Sequence, residues 1–289
     1  MENKLFIVGK NSYIGKYLGN IVRQFPYDVK FITSHPEGGD DLFLDFNYPG
    51  DFNYSIIKES DYIILLAAIS SPDICRNNFK MAFKINVEGT IYFIKNVLKR
   101  RARVLFFSSD TVYGNSDNHV TEFSETSPVG EYAKMKKEVE DNFKENINFK
   151  VFRLSYVFSK NDKFTSYLNY CCNNNTIAII YHPIFRKVIY LQDVIDSVIL
   201  IGEKWDHFDN QIFNLCGNEL LSRINLSEIY REIVDKRLKI SVVEPDEAFF
   251  NARPKVVNMK SVFLKNLLGR EPTPIETAFY QEFNKCERV

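Results

Sequence analysis

Val104-Leu105-Phe106-Phe107-Ser108-Ser109-Asp110-Thr111-Val112-Tyr113-Gly114 passes from four apolar residues straight into a cluster of hydroxyls and a carboxylate. The apolar run has the length and β-leaning composition of a buried strand. Polar groups gathered at a strand's carboxyl end are what an open α/β sheet presents to a ligand. Eighteen residues past Gly114, Tyr132-Ala133-Lys134-Met135-Lys136 opens a helical stretch, and a Tyr and a Lys four apart share one helix face. An ammonium beside a phenol stabilises the phenolate and is expected to draw its pKa down from about 10. A phenol tuned in this way can pass a proton to or from a substrate oxygen while a hydride moves. The spacing alone is weak, because Tyr54/Lys58 and Tyr156/Lys160 share it. Only Tyr132/Lys136 follows a strand that ends in hydroxyls.

Working outward toward the N-terminus, Leu5-Phe6-Ile7-Val8 reads as a compact strand. Gly9-Lys10-Asn11-Ser12-Tyr13-Ile14-Gly15-Lys16 then leads into a helix running to about Arg23. Gly9 and Gly15 stand where a tight strand-to-helix turn and close helix–strand packing need them, with the helix N-terminus open to a pyrophosphate. The strand before, the helix after and the N-terminal position favour a dinucleotide site over a plain turn. Asp28-Val29-Lys30-Phe31-Ile32-Thr33 is a second strand, and Thr33-Ser34-His35 at its end carries no acid for a ribose. A 2′-phosphate would not be repelled there, so NADP is allowed and favoured over NAD. Leu42-Phe43-Leu44-Asp45 is a third short strand, whose Asp45 either bonds an adenine amine or remains a solvated loop carboxylate. Asp61-Tyr62-Ile63-Ile64-Leu65-Leu66-Ala67-Ala68 is a fourth, ending in residues small enough for backbone to sit against a cofactor.

One long helix is expected over 76–99, a crossover helix over 132–146 and a sixth strand at Phe149-Lys150-Val151-Phe152-Arg153-Leu154. Strands alternating with helices predict an α/β fold, a Rossmann-type doubly wound parallel sheet. Beyond Leu154 shorter elements interleave. They include a helix near 163–173, apolar 176–181, a strand Arg186-Lys187-Val188-Ile189-Tyr190-Leu191-Gln192-Asp193, then helices at 194–204, 226–234, 261–268 and 275–283. They read as a smaller α/β lobe toward the C-terminus.

Composition bounds the function. The 289 residues suffice for a large core, and 45% hydrophobic with 15% aromatic residues argues against disorder. Basic and acidic residues both number 37, which gives no support for a nucleic-acid or membrane-surface partner. No apolar run approaches the ~18 residues of a membrane span, and Met1-Glu2-Asn3-Lys4 moves straight into a strand without a secretory signal. The five cysteines, Cys75, Cys171, Cys172, Cys216 and Cys286, have no metal spacing. Reduced thiols, no metal and a cytoplasmic location are the expectation.

Taken in order, these residues resemble the extended short-chain dehydrogenase/reductase family: the nucleotide-sugar epimerases, dehydratases and 4-ketoreductases. The resemblance rests on Gly9-x-x-Ser12-x-x-Gly15, Leu66-Ala67-Ala68, Asn86-Val87-x-Gly89-Thr90, Ser108-Ser109-x-x-Val112-Tyr113-Gly114, Tyr132-x-x-x-Lys136 and Arg153-Leu154. It continues through Arg186 with Asp193, Asn214 with Gly217, and Arg253-Pro254. It implies an NAD(P)-binding Rossmann domain over 1–155 and a mainly substrate-binding lobe over 156–289, with segments near 187–215 returning to the core. It implies Tyr132 as catalytic acid/base, Lys136 as its tuner and a ribose ligand, and Ser109 bonding the sugar oxygen. Gly9, Ser12, Tyr13, Ile14, Gly15, Ser34, Asp45, Phe46, Ala67, Ala68, Asn86 and Ser108 would join Tyr132 and Lys136 around NADP or NAD. Ser70, Ser109, Asp110, Thr111, Tyr156, Arg186 and Arg253 would face a nucleotide-diphosphate sugar, the two arginines as forks on the diphosphate.

Two departures stand out: Ser12 where the family has a glycine, and Tyr156 where many members place an Asn that touches substrate. The sugar dehydratases follow the catalytic hydroxyl with Asp and Glu; here Asp110 is followed by Thr111, which argues against dehydration. The leading expectation is an NAD(P)H-dependent reductase of a nucleotide-linked 4-keto-6-deoxy sugar. A 4-epimerase with tightly bound NAD is the alternative, and a scaffold that kept the fold but lost turnover is a third reading. The helices at 76–99 and 132–146 are where family members often pair, so a homodimer is expected. Because no acid follows the second strand, NADPH should bind the cofactor-free chain at least as well as NADH. A strong preference for NADH in fluorescence titrations would overturn that reading.

Overall fold

The computed structural model describes residues 4–22, 28–39 and 41–283; Met1, Glu2, Asn3, Arg23 and Cys286 lie outside the described residues. Seven strands form the main sheet: β1 (Lys4–Val8), β2 (Asp28–Thr33), β3 (Leu42–Phe43), β4 (Tyr62–Leu65), β5 (Arg103–Ser109), β6 (Phe149–Leu154) and β7 (Ile212–Leu215). Their order is β7-β6-β5-β4-β1-β2-β3, a parallel doubly wound sheet whose direction of winding reverses between β1 and β4. Buried on both faces, such strands need apolar side chains pointing both ways. β5 meets that need: Phe106 stacks on Phe149 while Phe107 meets Phe152 edge-on. Phe6, Ile63, Leu65, Phe93, Val104 and Phe149 belong to the same buried cluster.

Helix α1 (Tyr13–Val22) follows β1 as expected. The helix expected over 76–99 is instead four pieces: Pro72–Asn77, Phe79–Phe83, a π-helical stretch Lys84–Gly89, and α2 (Thr90–Leu98). Two contacts account for the break. The side chain of Asn86 reaches across to the peptide of Ile69, and Gly89 sits so close to Phe46 that an added Cβ would lie 2.0 Å from its carbonyl oxygen. The wide π turn, intrinsically less favourable than an α turn, is held by these partners. Helix α3 (Glu131–Asn142) ends four residues earlier than the sequence pattern suggests.

The chain divides into two compact units: Met1–Val112 with Gly130–Arg153 and Lys204–Phe213, and Tyr113–Val129 with Leu154–Glu203 and Asn214–Val289. This differs from a boundary at 155. Residues 113–129 join the second unit, and of the 187–215 stretch only 204–213 lies in the first. The physical reason is long-range pairing. Ser116–Val120, too polar to read as a strand, lies parallel to Val256–Met259.

The second unit holds a four-stranded sheet in the order Leu220–Ser222, Phe185–Lys187, Val256–Met259, Ser116–Val120. Beside it lies a parallel pair, Ile177–Tyr181 with Lys239–Val243. The strand expected from Arg186 to Asp193 is interrupted, and helix Leu191–Glu203 takes over. Asp193 sits fully buried in its first turn, accepting from the backbone and hydroxyl of Thr273 and from Arg270.

Gly89→Ala should lower the stability of the chain by about 2–4 kcal/mol, because the methyl meets backbone that cannot yield. Gly38 has φ +102° but nothing within 4 Å of an added Cβ, so Gly38→Ala should cost only ~1 kcal/mol of backbone strain. Denaturant midpoints of the two variants would check this, with equal losses counting against the account.

Candidate active site

The winding reversal brings the loops after β1 and β4 together. Leu66 N and Ala67 N both donate to Val8 O, at 2.9 and 3.1 Å. A Cβ on Gly9, whose φ is +98°, would lie 2.8 Å from Ala67 N, so no side chain fits there. One on Gly15 would lie 2.3 Å from Gly9 O. Ser12, which replaces the family's middle glycine, has a local task. Its Oγ accepts from Gly15 N at 3.1 Å and caps α1. As the acceptor in that bond, the hydroxyl keeps its own proton to donate to a phosphate oxygen at this positive helix end.

A cavity of about 510 Å³ opens here, lined among others by Gly9, Ser12, Ser34, Asp45, Phe46, Ala67 and Ala68. The cavity therefore gathers seven of the fourteen residues expected around an adenine dinucleotide. Tyr13 and Ile14 stand beside it in the first turn of α1. Asp45 spends Oδ1 on an Asx turn with Asn47, through N at 2.8 Å and Nδ2 at 2.9 Å. Ile69, another lining residue, has its peptide held on both sides: Asn86 Oδ1 accepts from Ile69 N at 2.8 Å, and Asn86 Nδ2 donates to Ile69 O at 2.9 Å. Ser70 follows, exposed.

At the end of β5, Ser109 Oγ donates to Asp110 Oδ1 at 3.2 Å and accepts from Thr111 N and Thr111 Oγ1 at 3.2 and 2.9 Å. Lys136, on α3 and buried, donates to Phe107 O at 2.7 Å. Its Nζ lies 5.8 Å from the Tyr132 ring centroid. Tyr132 packs on a small cluster containing Cys75, Val87 and Met135. Ser108 Oγ is buried with no hydrogen-bond partner among the described residues. An orphaned hydroxyl beside this group, together with the glycine cradle, fits a bound dinucleotide.

The electrostatics differ from expectation. Burial pushes the Tyr132 phenol well above its ordinary value, with Cys75 and Asp110 adding to the rise. Burial also brings the Lys136 ammonium down to about 8, against the opposing pull of Glu140 and Cys75. In the chain by itself, desolvation outweighs the lysine's attraction, so the phenol is not drawn toward neutrality.

In the second unit, Tyr156 OH donates to Asp162 Oδ1 at 2.6 Å, and the same carboxylate caps helix Lys163–Asn173. The Arg253 guanidinium lies 4.4 Å from the Phe249 ring centroid. Arg186 donates to the main-chain oxygens of Phe185, Pro254 and Lys255.

A family model described as the RmlD substrate binding domain matches residues 3–287. The chain belongs to the RmlD substrate binding domain family. It is thus a member of the extended short-chain dehydrogenase/reductase enzymes, of the epimerase/dehydratase type. Solved structures share the fold at low identity. A UDP-glucose-4-epimerase from Stenotrophomonas maltophila, with bound NAD and formylated UDP-arabinopyranose, superposes with a TM-score of 0.82 at 16% identity, over 97% of this chain and 96% of that one. A mutant UDP-glucuronic acid 4-epimerase from Bacillus cereus, in complex with a fluorinated UDP-glucuronic acid and NAD, gives 0.81 at 16%, over 97% and 98%. A UDP-N-acetylglucosamine 4-epimerase from Methanobrevibacter ruminantium, in complex with UDP-N-acetylmuramic acid, gives 0.78 at 18%, over 98% and 97%.

Within this RmlD-family chain the other two Tyr/Lys pairs have plain structural settings. Tyr54 OH donates to Pro49 O at 2.8 Å from a 3₁₀ turn, and Lys58 is exposed. Cys75 is a neighbour that no spacing pointed to. It is fully buried, and Sγ donates to Ile69 O at 3.2 Å. Tyr132→Phe removes one oxygen and should leave fold and cofactor affinity intact while turnover falls by ~10²–10⁴. Tyr54→Phe should lose ~1 kcal/mol of stability and no turnover. Steady-state rates beside thermal melts separate the two; full activity of Tyr132→Phe would end the assignment.

Proposed function

We propose that this chain is an NAD(P)H-dependent reductase of a nucleotide-linked 4-keto-6-deoxy sugar. The family match over residues 3–287 carries the reading, with the Tyr132 phenol, whose burial favours its protonated form, as the donor beside Ser109 and Lys136. Reducing a ketone needs a proton donor, and a phenol held neutral is one, whereas an epimerase must first use the same group as a base. The second support is Asp110-Thr111, where a dehydratase would need two successive carboxylates.

NAD or NADP is the cofactor, held by the Gly9–Gly15 turn, Ser34, Asp45, Phe46, Ala67, Ala68, Asn86, Ser108 and Lys136. When bound in its reduced form it supplies the hydride. Ser109 exchanges its bond with Asp110 for one to the sugar oxygen, while Thr111 keeps the hydroxyl oriented. Tyr132 delivers its proton to the C4 oxygen as the carbon receives the hydride, so that C=O becomes CH–OH. Asn86 steadies the wall at Ile69, and Lys136 holds the ribose while its bond to Phe107 O fixes its head. Arg186 and Arg253 serve the nucleotide diphosphate. Exposed Phe79, Met81 and Tyr92, on the helices that often pair in the family, accord with a homodimer.

The second reading, a nucleotide-sugar 4-epimerase with tightly held NAD, is favoured by the epimerases whose structures share the fold. Absorbance of reduced nicotinamide decides between them. A reductase consumes added NADPH in a one-to-one ratio with a 4-keto sugar nucleotide. An epimerase interconverts sugars with no net change, and that result would overturn the proposal.

The pH dependence follows from Lys136. The ammonium is charged below about 8 and neutral above it, so affinity of the cofactor-free chain for NADPH should weaken as pH rises through about 8. In Lys136→Arg, which stays charged, the fall should vanish even if affinity is lower throughout. A flat profile in the unmodified chain would show that the lysine's charge does not serve the cofactor.

A further inference from the structure

We propose that Arg186 is a positioning residue. Its guanidinium clips the main chain just past Arg253 and so presents Arg253 to the diphosphate, instead of meeting the phosphates itself. This rests on the reading that Arg253 binds a nucleotide diphosphate. Strand Phe185–Lys187 runs parallel to Val256–Met259, with Phe185 opposite Val256 and Arg186 opposite Val257. The residues ahead of that ladder, Pro254 and Lys255, have carbonyls that the strand pairing only partly reaches; Phe185 N donates to Lys255 O at 2.8 Å. Arg186 reaches diagonally to supply the rest. Nη2 donates to Pro254 O at 2.8 Å, and Nη1 donates to Phe185 O at 2.7 Å and to Lys255 O at 3.3 Å.

The opposite side of the segment is held as well. Asn115 Oδ1 accepts from both Lys255 N and Val256 N. Arg253 itself is tied by its N–H to Phe250 O at 3.2 Å, and its guanidinium rests against Phe249. Thus the two residues that follow Arg253 are gripped from one side by a planar fork and from the other by an amide, which sets the direction in which Arg253 leaves the chain. A planar guanidinium can serve three oxygens in one plane; an ammonium on a flexible stem cannot reproduce that fork.

Independent phosphate ligands contribute separately, whereas a residue that acts through another shows its effect only while the other is present. Isothermal titration of the full chain with UDP, dTDP, GDP and CDP identifies the diphosphate that binds most tightly, and that probe is then used on variants. Arg253→Ala and Arg186→Ala should each weaken it by about tenfold. Arg186→Ala in the Arg253→Ala background should add less than about twofold, and Arg186→Lys should be as weak as Arg186→Ala. The salt dependence of binding should drop when Arg253 is lost and should not drop again when Arg186 is lost as well. Asn115→Ala removes no charge, yet should weaken the diphosphate only while Arg253 is present; it also decides the matter if Arg186→Ala melts early. NADPH affinity should be unchanged throughout.

Multiplying effects of Arg186→Ala and Arg253→Ala, or recovery in Arg186→Lys, would make Arg186 a direct phosphate ligand and overturn the proposal. If none of the four diphosphates binds the unmodified chain, the nucleotide-sugar reading falls first and this inference falls with it.

Discussion

A methyl group on Gly9 would lie 2.8 Å from the backbone nitrogen of Ala67, and that exclusion shapes the first unit. Because the loops after β1 and β4 touch backbone to backbone, the chain leaving β4 starts flush with the glycine turn. Asn86 then holds the peptide of Ile69 from both sides, which requires the chain to return at a set distance in the Lys84–Gly89 stretch. Gly89 in turn seats that stretch on the carbonyl of Phe46. Three close approaches, each intolerant of a larger group, enclose one cavity.

The second theme is desolvation. Lys136 is buried and Tyr132 partly so, and desolvation moves each toward its uncharged form, the phenol up and the ammonium down. Adjacent to them, Ser109, Asp110 and Thr111 satisfy one another. At neutral pH the cluster in the chain alone holds its proton on the phenol, while the ammonium, brought down to about 8, still carries its charge. A ligand that brings charge into such a low-dielectric pocket is felt strongly by its neighbours.

Much of this was readable from residues because the signals are local. Leu5-Phe6-Ile7-Val8 before Gly9, and Phe106-Phe107 before Ser108-Ser109, announce strand ends by composition alone. Ile275–Phe283 emerges as a helix within the expected bounds. What escaped depends on partners far along the chain. Ser116–Val120 is a strand only because Val256–Met259 lies beside it. The π turn exists because Asn86 and Gly89 have distant contacts, which no periodicity encodes. The direction of the Tyr132 shift is likewise a matter of burial: a four-residue spacing places the lysine on the same face but says nothing about how much water remains. Cys75 was read only as a reduced thiol, yet its sulfur adds a third bond to the Ile69 peptide.

The π stretch has a consequence for how this region tolerates changes of length. A π turn holds roughly one residue more than the 3.6 of an α turn, so it is equivalent to an insertion absorbed without breaking the helix. Deleting a single residue from Lys84–Gly89 would restore ordinary α geometry with the downstream register kept, so Phe93, Ile94 and Val97 of α2 would still face the core. The loss would be local: Asn86 and Gly89 could no longer both meet their partners at Ile69 and Phe46. The extra residue therefore serves the two anchors around the cavity and not the buried face of α2.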